Sequence, residues 1–130
     1  MILEVLVAAG VVADVATGFY DARTTVTGIK KGVGVEGNAL ITAIFGDKPS
    51  FLSLTIYNLG ITAGFVGIEY VANHYLIYAL MGGAIGALFA DAGKHITGAK
   101  NWQWLMKGGN PRPKQSVIQK FIGLLSWNED

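Results

Sequence analysis

The sequence predicts an all-α integral membrane protein: a bundle of three transmembrane helices, with a short interfacial helix and an amphipathic C-terminal helix. Three observations lead to this prediction. The 130 residues are 52% apolar and only 15% charged, with a mean hydropathy of +0.43, whereas soluble domains carry about 25% charged residues. Long apolar segments recur along the chain, and the lysines and arginines fall in two regions only.

The first predicted helix runs from Ile2 to about Ile29 and carries a stripe of small and polar residues along an apolar body. At about 3.6 residues per turn, the stripe occupies one third of the helix circumference. Its members are Gly10, Asp14, Thr17, Gly18, Asp21, Thr24, Thr25 and Gly28. Because polar groups are costly against lipid, we expect this stripe to face protein.

A glycine-rich turn follows, and Asn38 is placed to cap a short apolar helix from Ala39 to Phe45. This helix is too short to span a bilayer, so we interpret it as interfacial or re-entrant. The second long helix begins near Pro49, a residue favoured in the first turn, and runs to about Val71. The third runs from about Tyr75 to Thr97.

Small residues at four-residue spacing recur on the second and third long helices. Gly60 and Gly64 lie on one, and Gly82 and Gly86 on the other. Such spacing lets helix backbones approach closely in a membrane, so these glycines predict helix packing faces.

The composition changes after Gly98 and divides the chain in two. Residues 1–98 are predicted to form the transmembrane helical domain, and residues 99–130 a cytoplasmic basic linker and tail. Within the tail, Ser116 to Trp127 places its apolar residues at helical spacing. We expect an amphipathic helix that lies on the membrane surface or on a neighbouring subunit.

The ten lysines and arginines predict the orientation. They flank the first connection or follow the third long helix, and the connection around Asn73 has none. Three spans place both basic regions on one side of the membrane. The positive-inside rule then predicts the N-terminus outside and the C-terminus in the cytoplasm.

Asp14 lies deep in the first helix, where an aspartate costs roughly 2.5–3.5 kcal/mol on insertion scales. We place it in an intramembrane polar seam with Thr17, Asp21, Thr25 and Asn58. If the first two long helices are antiparallel, Asn58 reaches the depth of Asp14 and is its predicted hydrogen-bond partner. A proton or ion pathway, or a site for a basic residue of a partner, are the alternatives.

A second polar cluster is predicted at the cytoplasmic mouth, formed by Asp21, Glu36, Asn38, Asp91 and His95. Asp91 and His95 lie one turn apart, a spacing that suits two ligands of a divalent cation. Acids at a membrane mouth are more often solvated or paired, here with Lys94, so we predict no metal. Glu36 and Asn38 can also simply brace the loop and cap the short helix.

Recognised catalytic motifs are absent from the sequence, which has no phosphate-binding loop, no nucleophile elbow and no HExxH segment. We therefore predict neither an enzyme nor a cofactor. The expected partners are the lipid bilayer and other membrane subunits or further copies of the chain, and not nucleic acid.

The motif DARTT at 21–25, the turn at Gly32 and the motif EGNAL at 36–40 resemble the signature of a family of small bacterial membrane proteins of unknown function. That signature has Asp and Ser/Thr-Thr on the first helix, a glycine-rich turn and Glu-x-Asn-Pro; Ala39 stands in place of the proline. The resemblance implies three or four membrane helices. It also implies a structural or ligand cluster that contains Asp21, Thr25, Glu36 and Asn38.

These features predict an accessory subunit that packs into, or oligomerises within, a larger membrane assembly. The small-residue faces, the polar seam and the extended tail favour this role. One alternative is a pore-former of the phage holin type, since such proteins are small, often have three spans and end in a charged tail. The other is a small proton or cation conductor that uses Asp14.

Overall fold

A computed structural model describes residues 2–109, which form four helices and no strand. The helices are α1 (Ile2–Lys30), α2 (Ala39–Phe45), α3 (Phe51–His74) and α4 (Tyr78–Met106). The all-α prediction is confirmed for this part of the chain. The predicted tail helix from Ser116 to Trp127 lies outside the described residues.

Side-chain caps begin the two middle helices. The Asn38 Oδ1 atom accepts hydrogen bonds from the backbone N–H groups of Leu40 and Ile41, at 2.9 and 3.2 Å, and the predicted bounds of α2 are confirmed. Ser50 caps α3 by accepting a hydrogen bond from the Ser53 backbone at 3.1 Å. Pro49 therefore precedes the cap instead of lying in the first helical turn.

The end of α4 differs from the prediction. The helix does not stop at Thr97, and residues 99–106, which were predicted as linker, are helical. Glycine in a helix costs only about 1 kcal/mol relative to alanine, and burial after Gly98 offsets that cost. Ala99 is fully buried and Trp102 is 9% exposed, with the Trp102 ring packed against Gly28.

Helices α1 and α3 are antiparallel. Asp14 of α1 contacts Thr62 of α3, and Gly18, one turn further along α1, contacts Asn58, one turn earlier on α3. Contacts that advance along one helix while they recede along the other define the antiparallel arrangement.

Helices α1 and α4 are parallel and share the most extensive contact in the bundle. An added Cβ atom at Gly10 would lie 3.1 Å from Leu88, and one at Gly28 would overlap the Trp102 ring. Contacts therefore advance along both helices together. These close approaches use glycines of α1, whereas Gly60, Gly64, Gly82 and Gly86 have open space around them.

The interior of the bundle is small and polar, and its surface is apolar. The buried residues of α1 are Gly10, Asp14, Gly18, Ala22, Thr24, Thr25 and Gly28, which follow the predicted stripe closely. Val12, on the opposite side, is 68% exposed. This inverts the pattern of a soluble protein and suits a bundle surrounded by lipid.

By length and composition, α1 and α3 are able to cross a membrane. In the apolar 18-residue stretch of each helix, only 17% of the residues of α1 and 11% of those of α3 are buried. Their apolar residues therefore do not form a core of the kind found in soluble proteins. Of the three predicted membrane-spanning helices, α4 does not meet this measure of length and composition, because Asp91, Lys94 and His95 interrupt its apolar run.

Candidate functional site

Three ionisable side chains from α1 and α4 meet in the middle of the bundle. The His95 Nε2 atom lies 3.7 Å from Asp14 Oδ1 and 3.3 Å from Asp91 Oδ2. The side chains of Asp14, His95 and Asp91 are 0%, 5% and 12% exposed. We refer to these three residues as the acid–histidine centre.

Asp21 fixes the orientation of the His95 ring. Its Oδ2 atom lies 2.8 Å from His95 Nδ1, and its Oδ1 atom accepts a hydrogen bond from Thr25 at 3.4 Å. A Cβ atom at position 98 would lie 2.9 Å from Asp21 Oδ1, so Gly98 provides the space for this carboxylate. If the Nδ1 proton is donated to Asp21, the Nε2 lone pair is directed towards Asp14 and Asp91.

The partner of Asp14 on α3 differs from the predicted one. Thr62 donates a hydrogen bond to Asp14 Oδ2 at 2.7 Å. Asn58 lies one turn away and donates instead to the backbone carbonyl of Gly18 at 3.3 Å. Thr62 is halfway along α3, so Asp14 lies near the midpoint of a candidate membrane span.

Three buried atoms of the centre lack hydrogen-bond partners among residues 2–109. They are Asp14 Oδ1, Asp91 Oδ2 and His95 Nε2. Each of the three residues offers one ligand atom that lies within 4.8 Å of those of the other two. In the His95 tautomer that donates its Nδ1–H to Asp21, each of these atoms presents a lone pair to the same small space. The centre is therefore arranged to receive a cation or a proton.

Glu69 extends the line of polar groups towards the other end of the bundle. It is only 7% exposed, and its Oε2 atom makes no hydrogen bond to the described residues. Together with Glu4 and Asn73 it lines an open cleft of about 440 Å³. Sequence reasoning left Thr62 and Glu69 out of the site, although their seven-residue spacing places them on one face of α3.

The predicted cytoplasmic-mouth cluster divides into two parts. Asp21, Asp91 and His95 meet, whereas Asn38 caps α2 and donates its backbone N–H to Glu36 Oε1 at 2.8 Å. Burial raises the pKa of the Glu36 carboxyl, and the hydrogen bond from Asn38 opposes that rise. Both bonds are of the kind expected if Glu36 and Asn38 brace the loop and cap α2, one of the two roles considered in the sequence analysis.

Of the predicted seam, Thr17 and Thr25 donate their hydroxyls within α1. Thr17 donates to the backbone carbonyl of Ala13 at 2.6 Å, a frequent bond of threonine within a helix, and Thr25 donates to Asp21. Asp14, Asp21 and Asn58 make the hydrogen bonds between helices that are given above.

Comparisons with protein-family models, with curated proteins and with solved structures give no match to this chain. The resemblance to a family of small bacterial membrane proteins therefore stays a prediction. The function has to be inferred from the geometry of the chain itself.

We predict that Thr62→Val destabilises the bundle by about 1–3 kcal/mol, because it removes the hydroxyl that donates to the buried Asp14 carboxylate. Thr97→Val is the matched control, since the Thr97 hydroxyl is exposed and bonds only within α4, and its effect should stay within about 0.5 kcal/mol. Unfolding in mild detergent, followed by circular dichroism, measures both. Equal losses of stability would show that the Thr62–Asp14 bond is unimportant.

Proposed function

We propose that the chain is an integral membrane protein of three spans that carries cations across the bilayer through the acid–histidine centre. The observation that carries this proposal is the burial of Asp14, Asp91 and His95 inside a bundle whose outer surface is apolar. Ionisable groups in a membrane interior are expensive, and they typically mark ion or proton pathways. Asp14 is near the middle of such a pathway.

The geometry of α4 supports a third span despite its lower apolarity. The first half of the helix, residues 78–90, is apolar, and the whole helix is about 43 Å long at 1.5 Å per residue. Asp91 and His95 interrupt the apolar run, but both are turned towards α1. Because these two groups face α1, they do not reduce the apolarity of the lipid-facing surface. Lys94 is exposed, and its long side chain can extend towards the headgroups at the basic end.

The charge distribution supports one orientation. The described lysines and arginines belong to the half of the bundle that contains the end of α1, the start of α3 and the end of α4: Arg23, Lys30, Lys31, Lys48, Lys94, Lys100 and Lys107. The opposite end has none of them. By the positive-inside rule, the basic end is cytoplasmic and the N-terminus lies outside.

Acidic groups recur along the axis of the bundle and support a pathway between its two ends. Glu69 lines the open cleft at the end of the bundle opposite the basic end. Asp14 and Asp91 lie at the centre, and Asp21 lies about two helical turns nearer the basic end. Glu36 follows, close enough to Asp21 and to Lys94 for electrostatic interaction. Carboxylates at successive depths give a cation successive sites of favourable charge.

The accessory-subunit role is a second candidate, favoured by the glycines that do not pack within the chain. Gly60, Gly64, Gly82 and Gly86 are exposed and have open space where a side chain would stand. Bare backbone of this kind permits close approach of a further helix in a membrane. No feature of the described residues favours the holin-like pore-former specifically, so that alternative stays a prediction.

Cation flux into proteoliposomes tests the proposal. Vesicles that contain the purified chain and trapped indicators for protons, K⁺ and Zn²⁺ should take up at least one of these cations several times faster than protein-free vesicles. Asp14→Asn and Asp14→Leu should reduce uptake to the background rate, because they remove the central charge.

Val12→Leu is the control for this flux experiment, since Val12 lies on the exposed side of α1 and its replacement should leave uptake unchanged. Uptake of all three cations at the protein-free rate would refute cation transport. So would uptake by a folded Asp14→Leu variant that equals that of the unsubstituted chain.

The absence of cysteine allows a background-free test of the topology. Single cysteines at Asn73, Lys31 and Lys107 occupy exposed positions and can be labelled with a membrane-impermeant thiol reagent. In intact spheroplasts, Asn73→Cys should react, whereas Lys31→Cys and Lys107→Cys should react only after the membrane is permeabilised. Reaction of all three in intact cells would exclude three spans.

A further inference from the structure

We infer that Asp14, Asp91 and His95 form a binding site for a first-row transition-metal dication of the Zn²⁺ type. The ligand atoms are Asp14 Oδ1, Asp91 Oδ2 and His95 Nε2. The inference rests on the proposed function, because it names the class of cation that the acid–histidine centre accepts.

The distances from the His95 nitrogen to the two carboxylate oxygens suit a metal site. Bonds of about 2.0–2.2 Å from Zn²⁺ to nitrogen and oxygen ligands give a tetrahedron with edges of about 3.4 Å. The separations of His95 Nε2 from Asp91 Oδ2 and Asp14 Oδ1 are 3.3 and 3.7 Å. Three protein ligands leave a fourth position open, which allows water or an incoming group to bind the metal.

The hydrogen-bond partners of the centre leave these three atoms available as ligands. Thr62 binds the other oxygen of Asp14, Oδ2, and so leaves Oδ1 without a donor. Asp21 binds the other nitrogen of His95, Nδ1. A metal-binding histidine typically donates its second ring N–H to a carboxylate, which fixes the tautomer and makes the free nitrogen a stronger ligand.

The charge of the centre suits a dication. Asp14, Asp21 and Asp91 contribute three carboxylates around one histidine, and a protonated His95 would offset only one of them. Lys94 lies near enough to Asp91 to offset part of another. A dication offsets two carboxylates at the point where their lone pairs converge, and leaves His95 neutral as a ligand.

The chemical type of the three ligand atoms indicates which metals the site would bind. An imidazole nitrogen beside two carboxylates suits Zn²⁺, Co²⁺, Ni²⁺ and Mn²⁺, whereas Ca²⁺ and Mg²⁺ prefer sites built of oxygen alone. Co²⁺ is a useful probe because its visible spectrum reports both binding and the coordination geometry.

The test is a Co²⁺ titration of the full chain in mild detergent, purified without a histidine tag and stripped with a chelator. We expect one Co²⁺ per chain, with visible bands that Zn²⁺ abolishes and that excess Ca²⁺ or Mg²⁺ leaves unchanged. His95→Gln should abolish binding. Asp21→Asn should weaken it by about 10–100-fold, as is typical for residues that orient a ligand.

Two matched controls accompany these variants. His74 and Asp47 are exposed and distant from the centre, so His74→Gln and Asp47→Asn should bind Co²⁺ like the unsubstituted chain. If His95→Gln does not fold, Asp91→Asn with unchanged helical circular dichroism takes its place and should also lose binding.

Absence of stoichiometric Co²⁺ binding by the folded chain would overturn the inference, as would unchanged binding in a folded His95→Gln or Asp91→Asn variant. Competition by Ca²⁺ or Mg²⁺ at equal concentration would also overturn it. The outcome is separate from that of the flux experiment. Co²⁺ binding without flux would refute transport alone, and flux of protons or K⁺ without Co²⁺ binding would refute the metal site alone.

Discussion

The carboxylates buried between α1 and α4 must be neutralised, and the arrangement of the bundle follows from this constraint. An isolated charge in an apolar interior is strongly unfavourable unless it is paired and hydrogen-bonded. Asp14 accepts a hydrogen bond from Thr62 on α3, and its other oxygen lies 3.7 Å from His95 on α4, where the inferred dication would neutralise it. Asp14 therefore joins all three long helices, and the polar stripe of α1 becomes the interior of the bundle.

Close approach of α4 to α1 depends on small residues beside the charged ones. Gly18 brings the α1 backbone within contact distance of His95, and Gly98 provides the space for the Asp21 carboxylate. The Trp102 ring covers Gly28 at the basic end. Glycine and charge thus act together: the glycines set the distance between the helices, and the ionisable groups fill the space that results.

Local signals made much of the fold predictable from the sequence. The stripe of α1 has a strict helical period, and the Asn38 cap defined α2 to the residue. The extension of α4 beyond Gly98 could not be predicted, since it depends on burial of Ala99 and Trp102 by other parts of the chain. Local patterns contain no information about such tertiary contacts.

The residues of the candidate site could be predicted from the sequence, but the contacts between them could not. Asp14, Asp21, Asp91 and His95 were all identified, but Asp14 was placed in the seam and Asp91 and His95 in the cytoplasmic-mouth cluster, with Asp21 in both. Their meeting at one point depends on the register of α1 against α4, which sequence periodicity does not specify. A shift of one helical turn likewise separates Asn58, the predicted partner of Asp14, from Thr62, the observed one.

X-ray absorption at the zinc edge, recorded on the Zn²⁺-loaded chain in detergent, tests the central claim most directly. The account predicts a first coordination shell of nitrogen and oxygen at about 2.0–2.2 Å. Outer-shell scattering should correspond to one imidazole, and His95→Gln should eliminate it. A shell of oxygen alone, or an imidazole signal that persists in a folded His95→Gln variant, would contradict a metal held by the acid–histidine centre.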